Sequence, residues 1–229
     1  MQALKSGHAF KVTFFGTRGS RPVVGNSVLK YGGDTSCVLI STADGFIVFD
    51  AGSGLCKLSE YVGVPQELSL VLSHAHVDHL LGLPSLSLMR HKDCKVKVYG
   101  RTRGGLTPRM QIDALMSPPL WPVSTDSFSP QTEYHCYEDK PFQAGGGLVE
   151  PVEGNHPNGC TIFRVTAGGK RLVYCTDFEH NTEDSARLAQ FAAGCDLLIY
   201  DGQFTDEEYS KYMGWGHSTM EEGGSIGKA

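Results

Sequence analysis

The stretch LVLSHAHVDHLLG, residues 70–82, places three histidines and one aspartate within six positions, directly after a run of apolar residues. The run LSLVL at 68–72 predicts a buried strand, and the polar residues leave the carboxyl end of that strand. Loops at such positions commonly carry binding and catalytic residues. The first candidates for a functional site are therefore His74, His76, Asp78 and His79.

The spacing of these four residues suits metal ions. His74 and His76 are two residues apart, and side chains at that spacing in an extended segment point to the same side. Asp78 and His79, at the turn, can face a second point nearby. Imidazole and carboxylate ligands without thiolate suit zinc, manganese or iron. Exposed histidines before a helix, and Asp78 as a helix N-cap, are the alternatives, but HxHxDH after an apolar strand predicts a centre for two metals.

Length and composition favour one globular unit. The chain has 229 residues, of which 40% are hydrophobic, so it can bury a sizeable core, and we expect a single domain over residues 1–229. Its 20 basic residues against 25 acidic ones give a net charge of −5, which disfavours nucleic acid as the main partner. The sequence leaves the oligomeric state open, a homodimer included.

Neither a membrane span nor export is predicted. No apolar run of about 18 residues occurs, and the start, MQALKSGHAFKVTFFG, lacks an apolar stretch long enough for a signal sequence. Seven scattered cysteines without CxxC spacing match neither a disulfide framework nor a structural zinc site. We therefore expect a cytoplasmic protein with reduced, mostly buried thiols.

Short β-runs separated by glycine-rich turns dominate the secondary-structure prediction. Strands are expected at 10–15, 36–40, 46–49, 68–72, 95–99, 161–165, 171–175 and 196–200. Helices are expected at 54–61, 79–91, 107–116, 183–193 and 205–213. Thr205 is the expected N-cap of the last helix. Residues 16–34 and 117–123 predict irregular loops, and the whole order suggests two sheets packed face to face with helices outside.

The HxHxDH stretch is accompanied by other motifs in a recognisable order. They are FGTRGS (15–20), YGGDTSC (31–37), FDAGSG (49–54), NHP (155–157), YCTDFEH (174–180), LLIYDGQFT (197–205) and GWGHST (214–219). With them the chain resembles the metallo-β-lactamase superfamily over nearly its whole length. The resemblance implies an α/β (α+β) fold, a four-layer αβ/βα sandwich of two mixed β-sheets with helices outside and two divalent metals at the sheet edge. Within the superfamily it is most similar to the phosphodiesterase branch, which includes ribonuclease Z and a cyclic phosphodiesterase of phosphonate breakdown.

The resemblance also implies the remaining metal ligands. It makes His156 of GNHP the third imidazole on the first metal, beside the two of HxH. It makes Asp177, at the end of LVYCTD, the bridge to a second metal that Asp78 and His79 also bind. The alternatives are a solvated turn histidine for His156 and a turn-forming aspartate for Asp177. Zinc is the expected metal, with manganese or iron as alternatives.

The resemblance also implies a pair of residues for proton transfer, Asp201 in IYDGQFT and His217 in GHST. In the phosphodiesterase branch a carboxylate and an imidazole at these places act together, and the imidazole protonates the leaving group, an effect of roughly 10²- to 10⁴-fold. Relatives usually have Glu where this chain has Asp201. Residues 218–221 also predict a capping box that opens a helix, which explains ST but not the histidine. With Asp78, this pair makes up the expected catalytic residues.

The activity implied by the resemblance is metal-dependent hydrolysis. We expect a phosphodiesterase that uses a metal-bridging hydroxide on a small or cyclic phosphodiester. The sequence shows no basic, glycine-rich insertion for gripping tRNA. A thioesterase or lactonase of the same superfamily would not need the GHST pairing, and a degenerate member would bind a phosphorylated ligand without turnover. Candidates for attracting phosphate, or for solvated basic loops, are Arg18, Arg21, Arg101, Arg103 and Arg109.

The sequence after His217 departs from the superfamily. Relatives continue with a helix, a strand and a further histidine ligand, whereas this sequence has no histidine after His217. We expect a weaker second metal site, held by Asp78, His79 and Asp177 with water or another group in the remaining place. Paired glycines predict a flexible end rather than a continued helix over 223–229. A truncated product, a natural variant and a partner chain that supplies the missing ligand stay open.

Overall fold

The computed structural model describes residues 10–129 and 131–228. The chain forms two compact units. Of the described residues, the first unit comprises those up to Glu138 together with Ala144–Gly146, and the second comprises Asp139–Gln143 and those from Gly147 onward. The expectation of a single domain stays a prediction, which one cooperative unfolding transition would support.

Six strands form the sheet of the first unit, in the order β1-β2-β3-β4-β5-β6. They are β1 (Phe10–Gly16), β2 (Cys37–Thr42), β3 (Phe46–Phe49), β4 (Glu67–Val71), β5 (Lys95–Gly100) and β6 (Thr132–Cys136). The first three strands pair antiparallel, whereas β3 to β6 pair in parallel. Because parallel strands share an edge for their carboxyl ends, the segment after β3 lies beside the HxHxDH stretch after β4.

Five strands form the second sheet, in the order β11-β10-β9-β8-β7. They are β7 (Phe142–Ala144), β8 (Gly147–Gly154), β9 (Cys160–Ala167), β10 (Lys170–Cys175) and β11 (Leu197–Tyr200). Strands β8, β9 and β10 pair antiparallel, and β10 pairs with β11 in parallel. The residues that follow β10 and β11 therefore leave the same edge of this sheet. Both sheets are mixed, which confirms the predicted α+β class.

Five α-helices lie among the described residues. They are α1 (Leu58–Val62), α2 (Pro108–Leu115), α3 (Thr182–Ala192), α4 (Asp206–Tyr209) and α5 (Met220–Ile226). The helices predicted at 54–61, 107–116 and 183–193 correspond to α1 with its preceding 3₁₀ turn, α2 and α3. Thr205 caps α4 as predicted, in a capping box with Glu208. The helix itself is shorter than predicted and ends at Tyr209.

The helix predicted over 79–91 is wrong. This segment forms separate 3₁₀ turns at Val77–His79, Leu83–Ser85 and Ser87–Arg90. The Gly82 N–H donates to the carbonyl of Ala51 at 2.8 Å, and a Cβ at Gly82 would lie 2.1 Å from the carbonyl oxygen of Gly52. Contact with that neighbouring backbone replaces the hydrogen bonds of a helix, while four of the five leucines of the segment still reach the core.

Three strands were missed in the prediction, namely β6, β7 and β8. Strand β8 contains Pro151 and two glutamates, which mask its β character in the sequence. It is nevertheless paired with β9 from Leu148 to Gly154. Long-range pairing therefore forms a strand that local propensity disfavours.

The flexible end predicted over 223–229 is also wrong for the described residues, since α5 runs from Met220 to Ile226 through both glycines. Thr219 caps it by accepting a hydrogen bond from the N–H of Glu222 at 3.2 Å. Ile226 is buried in the core of the second unit. A cap and an apolar anchor thus outweigh the low helix propensity of paired glycines.

Each unit has its own hydrophobic core, and buried thiols contribute to both. Cys37 and Cys94 lie in the core of the first unit, and Cys175 lies in that of the second. Burial raises the pKa of Cys94 to about 11, so its thiol stays protonated and unreactive. All seven cysteines are free, and four are buried, as predicted. No helix of the described residues is long and apolar enough to cross a membrane.

Candidate metal and proton-transfer site

A fully buried carboxylate, Asp50, organises the HxHxDH loop. It follows β3 directly and accepts hydrogen bonds from the backbone N–H of Ser73 at 2.8 Å and from its hydroxyl at 2.9 Å. It also accepts from Nδ1 of His79 at 2.9 Å, so we assign the lone pair of His79 to Nε2. The sequence prediction gave Asp50 no role. The available signal was an aspartate directly after a buried strand that neighbours β4.

The imidazoles of His74 and His76 converge, as the HxH spacing predicts. Nε2 of His74 lies 2.9 Å from Nδ1 of His76, and Nδ1 of His74 lies 3.0 Å from the hydroxyl oxygen of Ser73. Since that hydroxyl donates to Asp50, we assign Nδ1 of His74 as the donor to Ser73. This tautomer leaves Nε2 of His74 with the lone pair that a metal requires.

Asp78 and His79 form a second pair in the same unit. Oδ2 of Asp78 lies 3.5 Å from Nε2 of His79. The same oxygen accepts a hydrogen bond from the backbone N–H of Ser20 at 2.9 Å, and the Asp78 carbonyl accepts from the hydroxyl of Thr35 at 2.7 Å. The irregular loop predicted over 16–34 is therefore attached directly to the HxHxDH stretch.

Asp34 has a specific cationic partner in this chain. Its carboxylate accepts hydrogen bonds from Ser53 at 3.0 Å and from the ammonium group of Lys57 at 2.7 Å. Burial alone would raise the pKa of Asp34, but the hydrogen bonds from Lys57 and Ser53 lower it below its ordinary value. The carboxylate thus stays charged and fixes the end of the loop.

His156 and Asp177 lie together in the second unit. Nδ1 of His156 donates to the carbonyl of Gly216 at 2.7 Å, and its Nε2 lies 3.6 Å from Oδ2 of Asp177. Both side chains are buried, at 2% and 6% exposure. Asp177 follows β10 in the left-handed region, with φ of 50°, and its carboxylate accepts from the hydroxyl of Thr176. Of the six predicted ligands, four belong to the first unit and two to the second.

Asp201 and His217 are hydrogen-bonded, with 2.9 Å between Oδ2 and Nδ1. Asp201 also accepts from the backbone N–H groups of Phe178 and Gln203. Burial raises the pKa of Asp201, against the hydrogen bond from His217. The hydrogen bond of 2.9 Å shows that Asp201, although shorter than the Glu expected from relatives, reaches the imidazole of His217. One ligand atom from each of Asp177, Asp201 and His217 lies within 4.8 Å of the others.

The carboxylate of Glu179 holds two backbone amides of the loop before His217. One carboxylate oxygen accepts from the backbone N–H of Gly214 at 2.5 Å, and the other accepts from that of Gly216 at 2.8 Å. The hydroxyl of Tyr209 donates to the first oxygen at 3.1 Å. Because Gly216 also accepts from His156, Glu179 positions the loop that holds His156 and precedes His217. No local sequence signal indicates this contact across 37 residues.

Ser218 does not open the capping box that was predicted over 218–221. Its side-chain oxygen lies 2.7 Å from Nδ1 of His180 and 2.6 Å from the hydroxyl of Tyr200. Thr219 is the N-cap of α5 instead. Ser218 and Thr219 of GWGHST therefore have structural roles, whereas His217 is hydrogen-bonded to Asp201.

The arginines considered as phosphate contacts differ in their surroundings. Arg109 forms ion pairs with Asp126 at 2.5 Å and with Asp113 at 3.6 Å, which fits the alternative of a solvated basic loop. Arg18 and Arg21 are exposed on the loop that ends at Asp34.

Comparison with known proteins identifies the family of the chain. The family model described as beta-lactamase superfamily domain matches residues 46–227. Ribonuclease Z from Methanosarcina acetivorans is 23% identical over 273 residues, covering 95% of this chain and 83% of the relative. The metallo-beta-lactamase fold protein YhfI from Bacillus subtilis has a similar structure, with a TM-score of 0.69, 23% identity, and coverage of 96% of this chain and 81% of YhfI. The short form of human tRNase Z superposes with a TM-score of 0.68 at 20% identity, over 95% of this chain and 87% of that structure. The chain, with its HxHxDH stretch at the end of a parallel strand, belongs to the metallo-β-lactamase superfamily.

Proposed function

We propose that this chain is a metal-dependent phosphodiesterase that acts on small or cyclic phosphodiesters. The observation that carries the proposal is the pair Asp201 and His217, hydrogen-bonded at 2.9 Å and close to the carboxylate of Asp177. An imidazole supported by a carboxylate, next to a candidate metal ligand, is suited to protonate the oxygen that leaves phosphorus. Hydrolysis of a thioester or a lactone would not need this donor.

The proposed centre holds two divalent metals, zinc in the first instance and manganese or iron as alternatives. The family assigns His74, His76 and His156 to one metal, Asp78 and His79 to the other, and Asp177 to both. The donor set supports this assignment, because three of the four histidines have one ring nitrogen hydrogen-bonded to a neighbouring oxygen, which orients the other nitrogen for a metal. When bound, such metals stabilise negative charge on phosphate oxygens and lower the pKa of water.

The residues of the chain then supply the proton transfer. Asp201 is fixed by two backbone N–H groups and holds Nδ1 of His217, so the proton proposed to pass to the leaving oxygen is the one on Nε2 of His217. The carboxylate of Asp201 stabilises the imidazolium form of His217 before that transfer. Both side chains are nearly buried, at 7% and 10% exposure, which limits competition from solvent for the proton.

Hydrolysis assays on metal-loaded protein test the proposal. We expect turnover of bis(p-nitrophenyl) phosphate and little turnover of p-nitrophenyl phosphate or of a chromogenic thioester. Asp177→Asn should abolish diester hydrolysis, whereas Asp196→Asn, a change of the same kind at the exposed ion pair with Lys170, should not. Metal-loaded protein without any diester turnover would indicate a degenerate binding protein, and thioester turnover alone would indicate the other hydrolase class.

The size of the substrate needs a separate comparison. Relatives named ribonuclease Z and tRNase Z act on RNA, so the expectation that nucleic acid is not the main partner stays a prediction. The net charge of −5 supports a small substrate. A tRNA should therefore be cleaved much less efficiently than a small or cyclic phosphodiester when both are assayed with the same metal-loaded protein.

A cytoplasmic location is part of the proposal. Its support is that all seven cysteines are free thiols, four of them buried, which is typical of proteins from reducing compartments. Fractionation of cells that produce the protein, with a marker enzyme for each compartment, tests this expectation.

A further inference from the structure

The loop before His217 holds an exposed indole in a fixed position. Trp215 is 63% exposed, although large aromatic side chains are usually mostly buried. Its own backbone N–H donates to the carbonyl of Tyr212 at 3.1 Å. The N–H groups of the flanking residues, Gly214 and Gly216, donate to the two oxygens of Glu179. The backbone N–H groups of Gly214, Trp215 and Gly216 are thus all hydrogen-bonded, while the indole of Trp215 faces solvent.

Glycine is required on both sides of Trp215 for this conformation. Gly214 and Gly216 each have φ of 85°, a region that other residues rarely adopt. A Cβ at Gly216 would also lie 2.3 Å from Nδ1 of His156. The exposed position of the indole therefore follows from a tightly constrained backbone.

A continuous run of aromatic rings connects Trp215 with His217. The rings of Trp215 and Tyr212 meet edge to face with centroids 5.2 Å apart. Tyr212 stacks on Phe204 at 4.5 Å with an interplanar angle of 3°, and Phe204 meets the imidazole of His217 at 6.1 Å. The end of this run that faces solvent is the indole, and the other end is the proposed proton donor.

We propose that Trp215 binds the planar base of a nucleotide substrate, whose ester oxygen leaves next to His217. This inference rests on the proposed phosphodiesterase function and specifies its substrate class. Bases of any sequence stack on aromatic side chains, and the loop is already ordered, so little conformational entropy is lost when a base binds. A single base fits better than an RNA strand, because the first turn of α4, between Phe204 and Tyr212, carries Asp206, Glu207 and Glu208 and repels further phosphates.

Binding of two ligands that differ only in the base tests this inference. Adenosine 5′-monophosphate and ribose 5-phosphate are titrated calorimetrically into zinc-loaded protein. We expect the wild type to bind the nucleotide roughly 5- to 100-fold more tightly, the range that base stacking on one aromatic side chain contributes. Trp215→Ala should remove this preference and leave the affinity for ribose 5-phosphate unchanged, and Trp215→Phe should keep most of the preference.

Leu148→Ala provides the control, because Leu148 is a partly exposed apolar residue at the end of β8 away from His156. It should retain the full preference for the nucleotide. Equal binding of the two ligands by the wild type, or an undiminished preference in Trp215→Ala, overturns the inference. The outcome is separate from that of the proposed function, which fails only if metal-loaded wild type does not hydrolyse a phosphodiester.

Discussion

The carboxylate of Glu179 accepts a hydrogen bond from the backbone N–H of Gly216 at 2.8 Å, and the carbonyl of Gly216 accepts one from Nδ1 of His156 at 2.7 Å. The carboxylate of Glu179 is thereby linked through the backbone of one residue, Gly216, to a predicted metal ligand, His156. The same loop continues into His217, so the metal binding proposed for His156 and the proton transfer proposed for His217 would both depend on its conformation.

Glu179→Ala should lower phosphodiester hydrolysis by roughly 10- to 100-fold, the usual effect of removing a group that orients a metal ligand. The reason is that the N–H groups of Gly214 and Gly216 lose their acceptors and the loop relaxes away from His156. Glu179→Gln keeps one acceptor oxygen and should recover part of the activity. Metal affinity, measured with a competing chelator, should fall together with the rate.

If Glu179 only stabilised the fold, Glu179→Ala would lower the melting temperature without lowering the metal affinity of the folded protein. Glu183→Ala, an exposed carboxylate in the first turn of α3, is the matched control and should leave both rate and metal affinity unchanged. If Glu179→Ala lowers the melting temperature but not the metal affinity of the folded protein, the positioning role is wrong.

Asp50→Asn should weaken the binding of one metal without unfolding the first unit. The amide has nearly the same shape as the carboxylate but only one acceptor oxygen, so it cannot accept from both Ser73 and His79 as Asp50 does. We expect a loss of roughly 10- to 100-fold in affinity for the metal that His79 is proposed to bind. Elemental mass spectrometry of dialysed protein should find fewer metal ions per chain than in the wild type. Asp93→Asn, an exposed aspartate of the same unit, should match the wild type, and full metal content in Asp50→Asn would contradict the prediction.

His217→Ala should affect substrates according to how much their leaving groups need a proton. For a diester with an alkyl leaving group we expect a loss of roughly 10²- to 10⁴-fold. For bis(p-nitrophenyl) phosphate the loss should be much smaller, because nitrophenolate leaves readily without a proton. Comparison of the two rates in wild type and mutant measures this difference. An equal loss on both substrates would show that His217 acts on something other than the leaving group.

Asp34→Asn keeps the shape of the side chain and removes its charged pair with Lys57. Lys57 is 66% exposed and Asp34 29%, so the pair should contribute no more than about 1 kcal/mol to the free energy of unfolding. Because the pKa of Asp34 is lowered, its contribution is present above the ordinary carboxyl value and is lost as the pH falls through the folded-state pKa. The difference in melting temperature between wild type and Asp34→Asn should therefore disappear in acid. A difference that persists at the lowest pH would contradict this assignment.

The parts of the fold that the sequence predicts are those with strong local patterns. Apolar runs such as Phe46–Phe49 and Leu197–Tyr200 are strands in the structure, and the polar residues placed after them lie at the sheet edges. The HxH spacing likewise predicts the convergence of His74 and His76. These features depend on residues that are near one another in the chain.

The features that the sequence did not predict depend on contacts between distant segments. Strand β8 forms because it pairs with β9. The segment 79–91 is not a helix because the N–H of Gly82 donates a hydrogen bond to the carbonyl of Ala51. The hydrogen bonds of Asp50 and Glu179 span 29 and 37 residues. Such contacts become visible only when the sheet topology is known, since local propensity carries no information about them.

Helix α5 was the clearest failure of local propensity, and its two adjacent glycines give a matched pair of substitutions. A Cβ at Gly223 would lie 2.5 Å from the ring of Tyr200, whereas a Cβ at Gly224 would meet nothing within 4 Å. The Tyr200 ring cannot easily move away, because its hydroxyl is hydrogen-bonded to Ser218 at 2.6 Å. Gly223→Ala should therefore destabilise the protein by about 1–3 kcal/mol through overpacking. Gly224→Ala should stabilise it by up to about 1 kcal/mol, since alanine favours the helix.

Urea unfolding of the wild type and the two alanine variants measures these free energies. Tyr200→Leu in the Gly223→Ala background is the decisive comparison, because a smaller side chain removes the clash. The added methyl group should then cost much less than it does when Tyr200 is present. If the two glycine substitutions change stability by the same amount and in the same direction, contact with Tyr200 is not the reason that this helix contains Gly223.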